Sequence, residues 1–269
     1  MGMWCSEINY DTGRLKMKWG IIMKSTFFEA HHQAQPLILH NCWDVMSAQV
    51  ISERGPQAVA TSSYAIANAW GYEDGEQLPF EQLVWMTKRL VASVNVPVSV
   101  DVEGLYAESL AKLEAHATQV IATGVAGINF EDRHPEKGLY TVSEQAKRLE
   151  IVSTVAKKAK LPVFINARTD VFLEAGKETK ELVATALERA LIYADNGADG
   201  IFIPGLTDLT LLAEFVKKAP VPVNIMITNN SVSLAEYQAI GVSRISYGPS
   251  IYLSQKEAFA DSINEWGKM

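Results

Sequence analysis

The chain has 269 residues, 48% of them hydrophobic and 20% charged, with a net charge of −7. This balance suits one large globular domain, or two small ones, with a sizeable core. It argues against nucleic acid or an anionic membrane surface as the main partner. The two cysteines, Cys5 and Cys42, are far apart and give neither a disulfide framework nor a zinc pattern. No apolar run approaches the roughly 18 residues that a membrane helix needs, so no membrane partner and a cytoplasmic location are expected.

Residues 1–22 show no sustained period: Trp4, Cys5 and Trp19 stand among scattered charges, and Arg14, Lys16 and Lys18 interrupt any signal-peptide core. The reading is a loosely held extension over 1–22, followed by a single domain over 23–269. From residue 36 a rhythm sets in. Pro36–His40 reads as a strand, and Asp44 caps a helix that Gly55 stops. Gln57–Thr61 is the second strand, followed by a long polar loop to Pro79 and a helix from Phe80 to about Val94. Pro97–Asp101 is the third strand, with a helix over Glu108–Thr123; Ala126–Phe130 is the fourth, with a helix over Ser143–Ala159. Pro162–Asn166 is the fifth strand, and the helix Lys180–Asn196 follows with Leu182, Ala186, Ala190 and Tyr193 on one face. Three further units follow: strand Gly200–Ile203 with helix Leu209–Lys218, strand Val221–Ile225 with helix Leu234–Ile240, and strand Ser243–Tyr247 with a C-terminal helix.

Eight strands and eight helices in strict alternation, with strands apolar enough for burial on both faces, predict an α/β fold, a (β/α)8 TIM barrel. A doubly wound open sheet is the alternative, but no glycine-rich nucleotide turn follows the first strand.

The third strand ends in Asp101-Val-Glu103-Gly104. Strand alternation puts Asp101 and Glu103 on one face. Two such charges repel by roughly 4 kcal/mol at 4 Å and an effective dielectric near 20. A hard divalent cation with oxygen ligands is the simplest offset; a strand end with solvated acids is the bland alternative. The other strand ends add Asn41 and Asp44, then Thr61-Ser62-Ser63 with Asp74, then Glu131-Asp132, then Arg168 with Asp170. Strands six to eight end blandly. Such a rim would bind a cation through its acids and an anionic substrate through the cation and Arg168. Structural roles compete for several members. Asp44 reads better as a helix cap, Asp132 and Asp170 as acids bonding loop amides, Arg168 can pair with a neighbouring acid, and Cys42 reads as a small buried filler.

These segments resemble the isocitrate lyase/phosphoenolpyruvate mutase superfamily over about residues 25–255. Asp101-Val-Glu103-Gly104 is similar to its D-x-D/E-x-G metal segment, and Gly127-Ile-Asn-Phe-Glu131-Asp132 to its G-I/V-x-I/L-E-D strand. Ala167-Arg168-Thr169-Asp170 resembles its A-R-T-D/E strand. Gly71-Tyr-Glu-Asp74 follows Thr61-Ser62-Ser63 at the family's spacing, and Tyr193-Ala-x-x-Gly-Ala-Asp199 recurs. The resemblance implies a Mg²⁺-dependent (or Mn²⁺-dependent) barrel acting on small 2-oxo or 2-hydroxy carboxylates. It implies Asp101 and Glu103 as metal-holding acids with Asp74 and Glu131 in the same set, Thr61, Ser62 and Ser63 on the substrate carboxylate, and Arg168 on its anionic end. It also implies a homotetramer that exchanges its C-terminal helix, here carrying Tyr252, Phe259, Ile263 and Trp266.

The chain departs from the family's lyases, whose K-K/R-C-G-H loop carries an acting cysteine; here the loop reads Asp132-Arg-His-Pro-Glu-Lys-Gly138. The mutase version of that loop is not matched either, and Pro204 stands where the lyases place a glutamate. The chain is most similar to the phosphonomutase-like or 2-methylisocitrate-lyase-like branch. His134 and Lys137 are the evident proton carriers on this loop, which places His134 with Glu131 and Arg168 as catalytic candidates. Cys42, His31, His32, His40 and His116 have weaker cases. The expected activity is C–C cleavage by a lyase or decarboxylase through a pyruvate-type enolate. The alternatives are phosphonopyruvate-type P–C chemistry, or a metabolite-binding protein that has lost catalysis.

Overall fold

The computed structural model describes residues 24–159, 162–227 and 231–266. The extension expected over residues 1–22 lies outside these described residues. A helix over residues 24–30 (α1) precedes the first strand, which comes in two pieces, β1 (Leu37–Leu39) and β2 (Asn41–Cys42). The chain continues through α2 (Val45–Ser52), β3 (Val59–Thr61), α3 (Ser63–Ala69), α4 (Phe80–Ser93), β4 (Val98–Asp101) and α5 (Leu110–Ile121). Next come β5 (Gly127–Glu131), the short pair β6 (Arg133–His134) and β7 (Gly138–Leu139), α6 (Val142–Lys158), β8 (Phe164–Arg168) and α7 (Val171–Ala175). The chain ends through α8 (Lys180–Asp195), β9 (Gly200–Phe202), α9 (Leu209–Lys218), β10 (Val223–Met226), α10 (Leu234–Ile240), β11 (Arg244–Ser246) and α11 (Ser250–Trp266).

The strands pair in parallel in the order β1-β11-β10-β9-β8-β5-β4-β3-β2. Because β1 and β2 are successive parts of one strand, this order is a closed circle of eight. The break at His40 lets Leu37 pair with Arg244 on one side while Asn41 pairs with Ala60 on the other. The (β/α)8 barrel read from the alternation is the architecture found. No helix among the described residues is long and apolar enough to cross a membrane.

Local chemistry explains why the helices start where they do. Asp44, Thr141 and Ser233 each close a capping box with the residue three positions on, and Ser109, Thr179 and Asp208 each accept a backbone N–H from the first turn. Caps of this kind contribute about 1 kcal/mol apiece. Apolar faces of the helices then pack on the outside of the sheet around Leu113, Leu149, Phe215 and their neighbours.

The inside of the barrel is closed at its N-terminal end by α1. Phe27 packs with Leu37, Leu39, Ala58, Ala60 and Phe164, and the His31 ring stacks on Phe164 at 3.7 Å. Gly127 makes this plug possible, since a Cβ there would come within 2.7 Å of the Phe27 ring. Burial drives the His31 pKa down to about 3, with help from the charge of Arg244, and the ring stays neutral beside the Phe27 carbonyl at 2.7 Å.

The structure adds elements to the strict alternation read from the sequence: α1 before the first strand, α3, capped by Ser62, in the long loop after strand two, the β6–β7 pair after β5, and α7 after β8. Strand alternation stops at Asp101, because β4 ends there and Glu103, Leu105 and Tyr106 adopt positive φ of 52°, 63° and 54°. Left-handed conformations cost L-residues about 1–2 kcal/mol each. Full burial of Leu105 helps to hold this turn in place.

Candidate active site

The C-terminal ends of β3, β4, β5 and β8 bring together the acids and the arginine singled out in the sequence. Beside them lies a cavity of about 170 Å³ lined by Thr61, Ser62, Ser63, Asp74, Asp101, Asn129, Arg168 and Ser246, among others. A larger groove of about 600 Å³ runs along the outside of strand one beside α2, and no carboxylate lines it. Acids, hydroxyls and a fixed cation converge at the smaller cavity, so that cavity is the candidate site.

Arg168 is its hub. Its Nε donates to Asp170 Oδ1 at 2.6 Å and its Nη2 to Asp170 Oδ2 at 2.8 Å. Nη1 lies 2.9 Å from Glu131 Oε2 and 3.9 Å from Asp101 Oδ2. Burial opposes the charge, but Glu131, Asp170 and Asp101 outweigh it and hold the guanidinium pKa well above its ordinary value. A guanidinium has five N–H donors, so these contacts leave donors for a ligand.

The competing structural readings divide. Asp170 does not bond loop amides; it grips Arg168 bidentately and sets its direction. Asp132, fully buried, accepts from the Asp170 amide at 3.0 Å, from Arg189 Nη1 at 2.9 Å and from the Tyr193 hydroxyl at 2.8 Å. It is a scaffold acid. Asp44 caps α2, and Cys42 is a buried filler whose thiol burial pushes up to about 12.

Asp101 faces Arg168 from β4. Its amide donates to Thr61 Oγ1 at 2.8 Å and its Oδ2 accepts from Ser63 Oγ at 2.9 Å. Its Oδ1 is buried with no hydrogen-bond partner. Such an orphan costs about 1–3 kcal/mol and marks a place for a cation or a donor.

Glu103 leaves that line and turns to the loop before α4, where its Oε2 accepts from the Glu76 amide at 2.7 Å. Burial, then the charges of Asp101, Asp74 and Glu76, push its carboxyl up to about 8. Asp74 is raised by burial and by Asp101, with Arg168 pulling back. Glu131 is raised by burial, against the pull of Arg168, with Asp170, Asp101 and Glu103 adding to the rise.

His134 sits elsewhere. In the β6–β7 hairpin its Nδ1 accepts from the Glu136 amide at 3.0 Å, and its ring meets Tyr140 edge-on at 5.3 Å. It lines a separate groove with Glu76, Tyr106 and His116, so the catalytic role expected for it has no support from its position. His40 and His116 are likewise engaged, stacked on Tyr247 and Phe80.

Sequence reasoning missed Glu76 and the polar floor of the cavity. Glu76 Oε1 accepts from the Tyr106 amide at 2.6 Å and would lie 3.0 Å from a Cβ on Gly104, which is why glycine follows Glu103. The floor is made by Asn129, Asn166, Asn224 and Arg244, all buried. A signal for it was present: Asn129 and Asn166 stand two residues before Glu131 and Arg168, and so share their inward face.

Oxygen-only donors and the orphaned Asp101 Oδ1 fit a hard divalent cation. Among the described residues no three Asp, Glu, His or Cys side chains already converge as a direct cage.

With these groups gathered at the C-terminal rim of its strands, the architecture is that of a TIM barrel. Residues 27–266 match the family model described as phosphoenolpyruvate phosphomutase, and the chain belongs to that family. It is thereby an enzyme of the isocitrate lyase/phosphoenolpyruvate mutase superfamily. The crystal structure of a candidate phosphonomutase from Burkholderia cenocepacia superposes with a TM-score of 0.88 and 38% identity, covering 90% of this chain and 99% of that one. An uncharacterized protein of Mycobacterium tuberculosis is 33% identical over 228 residues, 84% of this chain and 83% of its own. The 2-methylisocitrate lyase of Escherichia coli is 24% identical over 211 residues, 75% of this chain and 69% of its own.

Proposed function

We propose that this protein is a Mg²⁺-dependent lyase or decarboxylase that cleaves a C–C bond of a small 2-oxo or 2-hydroxy carboxylate, oxaloacetate-like in size, through a pyruvate-type enolate. One observation carries the reading. Arg168, held by Asp170 and Glu131, keeps N–H donors beside a cavity of about 170 Å³ where Asp101 Oδ1 is unpartnered.

In this reading Asp101 would hold Mg²⁺, or Mn²⁺, with Asp74, Glu103 and Glu131 in the same acidic set. The bound ion supplies Lewis-acid withdrawal of charge from the reacting carbonyl. Arg168 binds the substrate's anionic end, and Asp170 fixes the direction in which it does so. Ser62 and Ser63 line the same cavity as carboxylate-binding groups, while Thr61 fixes the Asp101 backbone. A relative described as a 2-methylisocitrate lyase supports C–C chemistry. The phosphonomutase description of the 38%-identical structure supports the second reading, chemistry at a P–C bond, since Arg168 and the hydroxyls accept phosphonate as readily as carboxylate.

The deciding experiment follows pyruvate release from oxaloacetate, 2-methylisocitrate and phosphonopyruvate, and phosphoenolpyruvate formation from phosphonopyruvate, with and without Mg²⁺ and against an enzyme-free control. Metal-dependent, enzyme-dependent release from either carbon acid supports the first reading, and turnover of phosphonopyruvate alone, to pyruvate or to phosphoenolpyruvate, the second. Oxalate binding without turnover of any would leave a metabolite-binding protein.

A homotetramer that exchanges α11 belongs to the same proposal. No residue of α11 is buried in the single chain, and Leu253, Phe259, Ile263 and Trp266 are exposed along it. Light scattering of Phe259→Asp should show a smaller particle than the native protein. A cytoplasmic location completes the proposal, and cell fractionation tests it.

A further inference from the structure

Beneath the cavity the barrel interior is polar. Arg244, on β11, is 1% exposed. Its Nη2 donates to Asn129 Oδ1 at 3.0 Å and approaches Ser99 Oγ at 3.4 Å, while Nε and Nη1 have no partner. None of the ion pairs among the described residues includes it. A positive charge is therefore held inside the barrel without a carboxylate in contact.

That charge dictates how the neighbouring amides turn. A guanidinium only donates, so the atom that Asn129 offers it must be the amide oxygen. Asn166 agrees, since its Nδ2 donates to Asn129 Oδ1 and to Asn224 Oδ1, each at 2.9 Å. Asn224 closes the chain with its Nδ2 toward the Arg244 carbonyl and Ser246 Oγ, each at 3.2 Å. The amide orientations are thus fixed from both ends. Asn129 lines the cavity, and both of its side-chain hydrogen bonds are accepted by Oδ1, which leaves its NH₂ for a ligand there.

We propose that Arg244 is a positioning residue that, through Asn129, turns the cavity floor into a hydrogen-bond donor, selecting ligands that place a carboxylate or carbonyl oxygen there. The choice of ligand class rests on the small-carboxylate reading above. An aspartate at 129 would have the same shape and would pair with Arg244, but it would present an acceptor to the ligand. The arrangement therefore makes stability and binding respond in opposite directions to one substitution.

The test is Asn129→Asp, measured by thermal unfolding in metal-free buffer and by calorimetric titration of oxalate with Mg²⁺. The expected result is a Tm higher by about 2–4 °C or more together with oxalate binding at least tenfold weaker. Arg244→Met should weaken oxalate about tenfold in the native background but less than twofold in the Asn129→Leu background. Where Arg244→Met does not fold, Arg244→Lys, which keeps charge and donors, should retain most of the binding. An Asn129→Asp protein that is less stable, or that binds oxalate as the native protein does, overturns the proposal, and so do additive losses in the two backgrounds. If the native protein binds no oxalate, the small-carboxylate reading falls, while the sign of the Tm change still decides whether Arg244 is the unpaired cation that turns Asn129.

Discussion

At the N-terminal end of the barrel, Phe27, His31 and Phe164 fill the interior ring against ring, whereas at the C-terminal end Asp101, Glu131 and Asp170 crowd around Arg168, with Asp74 and Glu103 close enough to act on Asp101. The same strands supply both ends, and the next inward position along each takes the interior from one regime to the other. Phe164, Asn166 and Arg168 show this on β8 alone: an aromatic plug, a polar floor, then a charged rim. The closed, neutral end stabilises a scaffold in which the other can hold repelling acids and positive-φ turns. Function and stability should therefore separate along the barrel axis, and substitutions can test the separation.

The largest effect is expected at the rim. Asp101→Ala should lower turnover by roughly two to three orders of magnitude through loss of metal-held charge stabilisation, with Tm unchanged or raised, because a buried orphan oxygen is removed. Steady-state assays with Mg²⁺ titration check it; full turnover would end the metal reading. Next comes Phe27→Ala at the base, expected to lower stability by about 3–5 kcal/mol while kcat stays within a factor of two at temperatures where the protein is folded. Denaturant unfolding beside the same assay measures both.

The two ends should also titrate in opposite directions in metal-free buffer. His31 has a folded pKa of about 3, below its ordinary value of 6.5, so its contribution is complete above the ordinary value and lost as pH falls toward 3. Glu103, raised from 4.5 to about 8, favours the folded state when protonated, so its contribution is lost as pH rises through that window. His31→Leu should flatten the acid limb of a Tm–pH profile and Glu103→Gln the neutral-to-alkaline limb, each by a few degrees. Unchanged limbs in both variants would show that other groups set the profile. The smallest effect is assigned to His134→Ala, below threefold in kcat/KM, because this side chain lies outside the cavity; a hundredfold loss would return it to the chemistry.

Much of the architecture could be read from the chain because barrel strands are short apolar runs with helix caps at regular spacing. Leu209–Lys218 and Leu234–Ile240 form helices with the bounds that were read. Asp101, Glu131 and Arg168 were legible because they end strands, where a barrel exposes its reactive side chains. Position beyond the strand ends was not. Alternation placed Glu103 beside Asp101, but positive φ at Glu103 breaks the period that the inference used. His134 was judged by its titration range, and only the hairpin turn of β6 and β7 shows which groove it enters. Arg244 and its asparagines read as ordinary polar residues because their partners lie on other strands, as far as Arg244 is from Asn129 in sequence.

The split at His40 has a consequence for how the molecule is made. The first strand cannot complete its pairing until β11 is available, since Leu37 pairs with Arg244. On a ribosome adding roughly 5–20 residues per second, β1 waits about 10–40 s with one edge open. The seam of the barrel is thus the last part of the sheet to form, and the slowest step of folding should be the meeting of the two ends of the chain. A nascent chain halted before β11 should carry an unsealed edge, and it is there that chaperones or stray strands would find it.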